Sequence, residues 1–360
     1  MVWRGVGLVP VACERCGQGM LAPEPLPLCP VCGANALSAA DLRSLQGAPE
    51  LWVPPTVERE ALEDIFRQAR RPVPLPGRSS APEQLALDAR LVLWPLWLVD
   101  ARARGSWAAE VGFAVEVESA REQFADGRWT TQRFVEVRDQ WDNRLGTVDL
   151  PLENTAAPAL RRHEELLVGL GPGWEGTTEW QDLLGGRACV LLPNLSPTEA
   201  WPLAQGAVEA RLGAKIAEAA GGRNIRALRL QVGYDALHWT WLLRPAWSVS
   251  YLDDAGAPRV LWVDGVSGQV CGTIAASTRR GNWYALVLLS LALGLAALAL
   301  LLGVAGILLF PLWIVAGALL FLAVFPAVGA VLAFMAPRTW NAQHQGVTCG
   351  AQEGSDTRDS

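Results

Sequence analysis

Four cysteines near the start carry the clearest chemistry in the 360-residue chain. They read Cys13-Glu-Arg-Cys16-Gly17 and Cys29-Pro-Val-Cys32-Gly33, with twelve residues between Cys16 and Cys29. A C-x-x-C pair brings two thiolates to one metal, and the glycine after it permits the turn that aims amides at sulfur. Two such knuckles complete a closed tetrahedral site, the pattern of a zinc ribbon. The sequence therefore predicts one structural Zn2+ held by Cys13, Cys16, Cys29 and Cys32. Four thiolates leave no open position, so the metal is not expected to catalyse a reaction. A redox reading of the pairs would need a thioredoxin-like βαβ context, which is missing. Residues 1–50 carry three Arg and four acids. Without a basic stripe, the ribbon reads as structural or protein-contacting in preference to nucleic-acid-reading.

Little other chemistry is legible. There is no phosphate-cradling G-x-x-x-x-G-K-[ST], no G-x-G-x-x-G between a strand and a helix, no G-x-S-x-G elbow and no H-E-x-x-H. The three histidines are His163, beside Glu164 and Glu165, His238, ahead of a Trp-rich strand, and His344 in the tail. Each reads as polar surface or structure, so no catalytic and no cofactor-binding residue is assigned and an enzyme is not expected. The net charge of −6 argues against a general nucleic-acid binder. The remaining cysteines, Cys189, Cys271 and Cys349, are odd in number and far apart. A reducing, cytosolic setting fits them better than a disulfide framework.

The elements that must hold this site follow in order. Residues 41–80 form a linker and an amphipathic helix, with Thr56 as its cap and Val57, Ala61, Leu62, Ile65, Phe66 and Ala69 at helical spacing. Residues 81–278 read as a cytosolic α+β domain rich in strands. Leu91–Val99 is a buried strand with a bulge or edge position at Pro95. Trp107–Val117 and Trp129–Val137 alternate as strands around an Asp126-Gly127 turn. Pro151–Glu179 reads as a loop with a short helix near Leu160–Leu167. Ser196-Pro197-Thr198-Glu199 is a capping box that opens a helix running to about Ala220 and stopping at Gly221-Gly222. Ile225–Tyr234, His238–Tyr251 and Arg259–Val263 are strands, joined by turns at Asp253–Pro258 and Asp264–Gly268. Leu93–Gly105 and Leu243–Gly256 share a Pro, a Trp two places on and a glycine turn, a hint of two related β units.

The C-terminal third is governed by Gly281–Pro337, 57 residues without Asp, Glu, Lys, Arg or His. One bilayer crossing takes roughly 20 apolar residues, so the run is long enough for two. Transmembrane helices are expected at about 283–309 and 312–336, broken near Pro311. Arg279 and Arg280 before the run and Arg338 after it place both flanks in the cytosol by the positive-inside rule. Met1–Ala12 does not read as a signal peptide, in agreement. Trp283, Tyr284 and Trp340 fall at the lipid interface, and Gly294, Gly303, Gly306, Gly317 and Gly329 would let helices approach closely. The run carries no ionisable residue, against an ion or proton path. Residues 338–360 are expected to form a disordered tail.

This order of parts resembles a bacterial family of TFIIB-type zinc-ribbon membrane proteins, often likened to the primosomal helicase because of the ribbon alone. The resemblance rests on the four cysteines, on Leu93–Asp100, on Arg244–Tyr251 (R-P-x-W-x-V-x-Y) and on Val263–Gly272 (VDGVSGQVCG). It implies an N-terminal zinc ribbon, a central domain and two C-terminal membrane helices, and no established reaction. No helicase motor motif is present. The fold expected is thus multidomain: a small four-cysteine ribbon (1–40), a β-rich α+β centre and a two-helix transmembrane hairpin. The expected role is a membrane-anchored adaptor or scaffold at the inner membrane, with both termini cytoplasmic. Its partners would be the bilayer, other membrane or cytosolic proteins, and further copies through the hairpin. A membrane-tethered nucleic-acid-binding or replication-associated factor, and an enzyme with an unrecognised site, are the alternatives.

Overall fold

The computed structural model describes residues 8–23, 26–40, 47–125, 128–161, 176–180, 188–221, 224–306 and 311–344. The expected Asp126-Gly127 turn, most of the helix near Leu160–Leu167, His163 and the tail beyond His344 lie outside them. The chain forms two compact units: Met1–Pro95 with Arg161–Asn194 and Leu243–Ser360, and Leu96–Leu160 with Leu195–Leu242.

The first unit holds the cysteines. Strands β1 (Val9–Cys13), β2 (Gly19–Ala22) and β3 (Leu37–Ala39) form a small antiparallel sheet with β1 in the middle. This sheet does not end at the ribbon. β2 pairs with Cys189–Leu191, which also pairs in parallel with Val92 and Leu93. Helices α1 (Leu62–Arg70) and α2 (Pro82–Asp88) bury Leu62, Phe66 and Leu85 against Trp247, Val249, Tyr251, Leu261 and Val263. Those residues come from the antiparallel pair formed by the end of one long strand (Asn224–Leu252) and the strand Pro258–Asp264. Thr56 does not cap α1. Its amide donates to the Gly265 carbonyl, and a short 3-10 turn over Arg59–Ala61 leads into the helix instead.

Both turns read from the sequence are present, and each is organised by an aspartate. Asp253 Oδ1 accepts from the amides of Ala255 and Ala257, while Gly256 takes φ 78°. Asp264 is wholly buried. Its carboxylate accepts from Arg244 Nη2 at 2.7 Å, Ser267 Oγ at 2.8 Å and the Val266 amide at 3.1 Å. Gly265 passes so near Pro245 that a Cβ there would collide with its backbone.

The second unit is built on two very long strands, Arg90–Ala125 and Arg128–Pro158, paired antiparallel as a hairpin. Pro151–Pro158 is therefore strand and not loop: Leu152 and Ala157 face the core, and burial overrides the local proline signal. The irregularity expected at Pro95 falls later, between Val99 and Ala101, where Asp100 accepts the Asn154 amide. Helix α3 (Pro197–Ala220) carries the full capping box at Ser196 and Glu199 and ends on Gly221 at φ 67°. Its Ala200, Ala204, Val208, Leu212 and Ile216, four apart, pack on Val99, Ala103, Val148 and Leu152.

Helices α4 (Thr278–Ala305) and α5 (Pro311–Gln343) are long and apolar enough to cross a membrane. They form an antiparallel pair with a seam of small residues. Ala292 and Ala299 on α4, and Ala316, Ala323 and Ala330 on α5, recur every seventh residue and are buried. Gly281 lies against the other helix, where a Cβ would stand 2.6 Å from the Ala333 carbonyl oxygen. Gly303, Gly306 and Gly329 also meet side chains of the partner helix, whereas Gly294 and Gly317 face open space. α4 starts five residues before the expected 283 because Ser277 caps it, accepting the Arg280 amide. α5 runs past the expected 336, through Pro337 to Gln343, because its last turn has partners described below.

Breaking the Asp264 cluster from one side should be costly. We expect Arg244→Met, which leaves a buried carboxylate without its guanidinium, to destabilise the first unit by about 3–5 kcal/mol. Thermal unfolding in detergent measures this. Arg244→Met combined with Asp264→Leu should cost clearly less than Arg244→Met alone.

Candidate metal centre

The two knuckles are built by one hydrogen-bond scheme used twice. The Gly17 amide donates to the Cys13 carbonyl at 2.7 Å, and the Gly33 amide to the Cys29 carbonyl at 2.8 Å. The Cys13 amide donates to Gln18, and the Cys29 amide to Ala34. Gly17 and Gly33 take φ 72° and 69°, the left-handed region that glycine tolerates best. The C-x-x-C-G spacing is thus a statement about backbone closure as much as about ligands.

This closure brings the four sulfurs together. All lie within 4.8 Å of one another. Cys13 and Cys32 Sγ are 3.6 Å apart, and Cys16 and Cys29 Sγ 3.8 Å apart. A disulfide would need about 2 Å. The edge of a tetrahedron with metal–sulfur bonds of ~2.3 Å is about 3.8 Å, so the donor set fits one tetrahedral cation. The Val31 amide points at Cys29 Sγ at 3.4 Å.

The electrostatics also call for a cation. Burial pushes the Cys16 thiol up to about 11, against a lowering contact from the Gln18 amide. Burial raises Cys29 further still, and the neighbouring Cys16 and Cys32 sulfurs add to it. Cys13 is also penalised by burial, yet the amides of Cys16 and Arg15 bring it below its ordinary value. Four thiolates in one place repel one another, and a bound divalent ion removes that obstacle.

The site is supported by residues that sequence reasoning missed. Ser248 Oγ donates to the Pro30 carbonyl at 2.7 Å, and Ser250 Oγ to the Cys29 carbonyl at 3.3 Å. Gly33 rests against Pro258 and Val260. On the other knuckle, the buried Gln18 donates to the Leu192 carbonyl at 2.8 Å and accepts from Asn194. The available signal was the Trp-Ser-Val-Ser-Tyr alternation at 247–251, in which serines recur on one face of a strand. No protein-family model, curated protein or solved structure matches the chain. The reading of this centre therefore rests on its geometry.

Among the described residues, the others singled out in the sequence do not join it. His238 is exposed, with Nδ1 3.9 Å from Asp100. His344 stacks on Trp340 with ring centroids 4.1 Å apart. Cys189 is a buried thiol, pushed up to about 12 by desolvation alone, which makes it a poor nucleophile.

Metal binding must displace protons from raised thiols, so affinity should fall as pH falls from 8 to 6. Competition with a chromophoric chelator across that range measures it. Cys29→Ser, which removes the most buried donor, should lose the metal at neutral pH.

Proposed function

We propose that the chain is a membrane-anchored zinc-ribbon scaffold that presents a cytosolic, protein-binding surface and performs no reaction of its own. In this reading Cys13, Cys16, Cys29 and Cys32 hold one structural Zn2+. The α4–α5 hairpin spans the inner membrane with both ends in the cytosol, as Arg279, Arg280 and Arg338 at the flanks favour.

The observation that carries the reading is a clasp between the end of α5 and the strand-rich part of the first unit. Asn341 accepts the Ala276 amide at 2.8 Å and donates back to its carbonyl at 3.0 Å. Trp340 Nε1 donates to the Ile274 carbonyl at 3.0 Å, and Thr273 Oγ1 to the His344 carbonyl at 2.9 Å. On the α4 side, Arg280 Nη1 donates to the Pro76 carbonyl, and Ser277 binds Asp254. Both helices thus join the folded unit through side-chain hydrogen bonds to backbone groups and to Asp254. A flexible tether would need none of these contacts. A rigid mount suits a surface whose orientation to the membrane matters. The outward faces of the helices agree, since Leu286, Leu300, Phe321 and Phe325 are more than 60% exposed.

Two measurements test the proposal. The full chain should stay in membranes through alkaline carbonate extraction and should contain one zinc per chain by elemental analysis. A chain released by carbonate, or purified with four intact ribbon thiols and no metal, would sink it. Gly281→Leu, which forces a side chain into the Ala333 carbonyl, should separate the helices and lower the detergent melting temperature. Asn341→Ala should leave membrane insertion unchanged and raise protease sensitivity near Ala276.

A further inference from the structure

With Leu51–Trp52 as β4 and Arg90–Ala125 as β5, the strand Arg128–Pro158 is β6; it pairs with β5 and with no other among the described residues. It is an edge strand of 31 residues. Beyond Glu110 and Asp139, held by Arg226 and Asn224, the hairpin continues to the Phe124–Trp129 ring pair. Two strands alone are marginal in water, and a long open edge is a template for further pairing.

The edge carries a charge pattern with a symmetry. Read along one face of β6, every second residue from 136 gives Glu136, Arg138, Gln140, Asp142 and Arg144. Within the chain, Glu136 pairs with Arg138, and Asp142 lies 3.8 Å from Arg144. Now lay a second β6 antiparallel along the same edge, with Gln140 on the twofold axis. Glu136 then faces Arg144, and Arg138 faces Asp142, each twice by symmetry. On the opposite face Val135 meets Leu145, which are 61% and 83% exposed. Sliding by two residues toward the hairpin tip puts Glu136 on Asp142. Sliding by two the other way puts Arg138 on Arg144. A one-residue slip is excluded, because it sets side chains on opposite faces. Opposite-charge cross-strand pairs stabilise a sheet, and like charges directly opposite oppose it.

We propose that the protein forms a twofold homodimer by edge-to-edge pairing of β6, in the register centred on Gln140. Two hairpins then become one four-stranded sheet. The interface is isologous, as a twofold contact between identical chains must be. The stretch Val111–Trp141 carries six acids and four arginines. Its net negative charge disfavours an anionic lipid surface or a nucleic acid as the occupant of this edge.

The test uses the full chain in nanodiscs, with Cys349→Ser to remove the tail thiol. Gln140→Cys should give a disulfide-linked dimer under mild oxidation, since directly opposed residues lie within disulfide reach. Gln132→Cys, far from the axis, should give none. Glu136→Arg should weaken the dimer by roughly tenfold or more, because both symmetry-related pairs become repulsive. Glu136→Arg with Arg144→Glu restores opposite charge and should restore the dimer. An unchanged metal content in each variant shows that it has folded. The proposal is overturned by a monomeric wild type, by equal crosslinking at 132 and 140, or by a dimer indifferent to Glu136→Arg. It also fails if the charge-swapped double variant stays monomeric while folded.

Discussion

A buried carboxylate is the constraint on which the first unit depends. Asp264 has no access to water, so its charge must be met from within. Meeting it takes the guanidinium of Arg244 from one strand, the hydroxyl of Ser267 from the turn and an amide from the same turn. These bonds lock the strand carrying Arg244 against the strand ending in Asp264. They also hold the Gly265 carbonyl where it receives the amides of Thr56 and Val57, which starts the path into α1. The two segments most distinctive in the sequence, around Arg244 and around Asp264, are two halves of one ion pair.

From that strand the influence runs both ways. Three to six residues beyond Arg244, Trp247 donates to the Val57 carbonyl, while Ser248 and Ser250 hold the second cysteine knuckle. On the other side the paired strand leads through Cys271 to Thr273–Ala276, where α5 is clasped. Metal knuckle and apolar helices are therefore attached to the same few strands. If the cysteine cluster holds a cation, its removal would loosen the Cys29–Cys32 turn first, since that turn has the most buried sulfur and rests on Pro258 and Val260.

Local rules with a backbone mechanism were legible in advance. The C-x-x-C-G knuckles, the Ser196–Glu199 capping box, the Gly221 stop and both aspartate turns each need only a few adjacent residues. The apolar run was legible because absence of charge over 57 residues is itself a physical statement. What escaped was set by tertiary contact. Pro151–Pro158 became strand because it lies under α3, and α5 outlasted Pro337 because Trp340 and Asn341 find backbone partners in the folded unit. The glycine that matters most at the helix crossing is Gly281, at the rim of the run, where only the meeting of two helices reveals the need. The serines that brace the metal knuckle were hidden for the same reason, being more than 200 residues from the cysteines they serve.

The length of α5 sets a height. From Pro337, the end of the uncharged run, to Gln343 the helix rises by about 9 Å. The polar headgroup layer on one side of a bilayer is roughly 5–8 Å deep. With the apolar run in the hydrocarbon, Ile274 and Ala276, bound by Trp340 and Asn341 about 5–6 Å beyond Pro337, would meet the helix at the level of the headgroups. The folded unit would then rest on the lipid surface as on a bearing, with no free stalk beneath it. Bilayer thickness would become a mechanical input, since a thinner or thicker membrane would tilt the pair and tip whatever the unit carries.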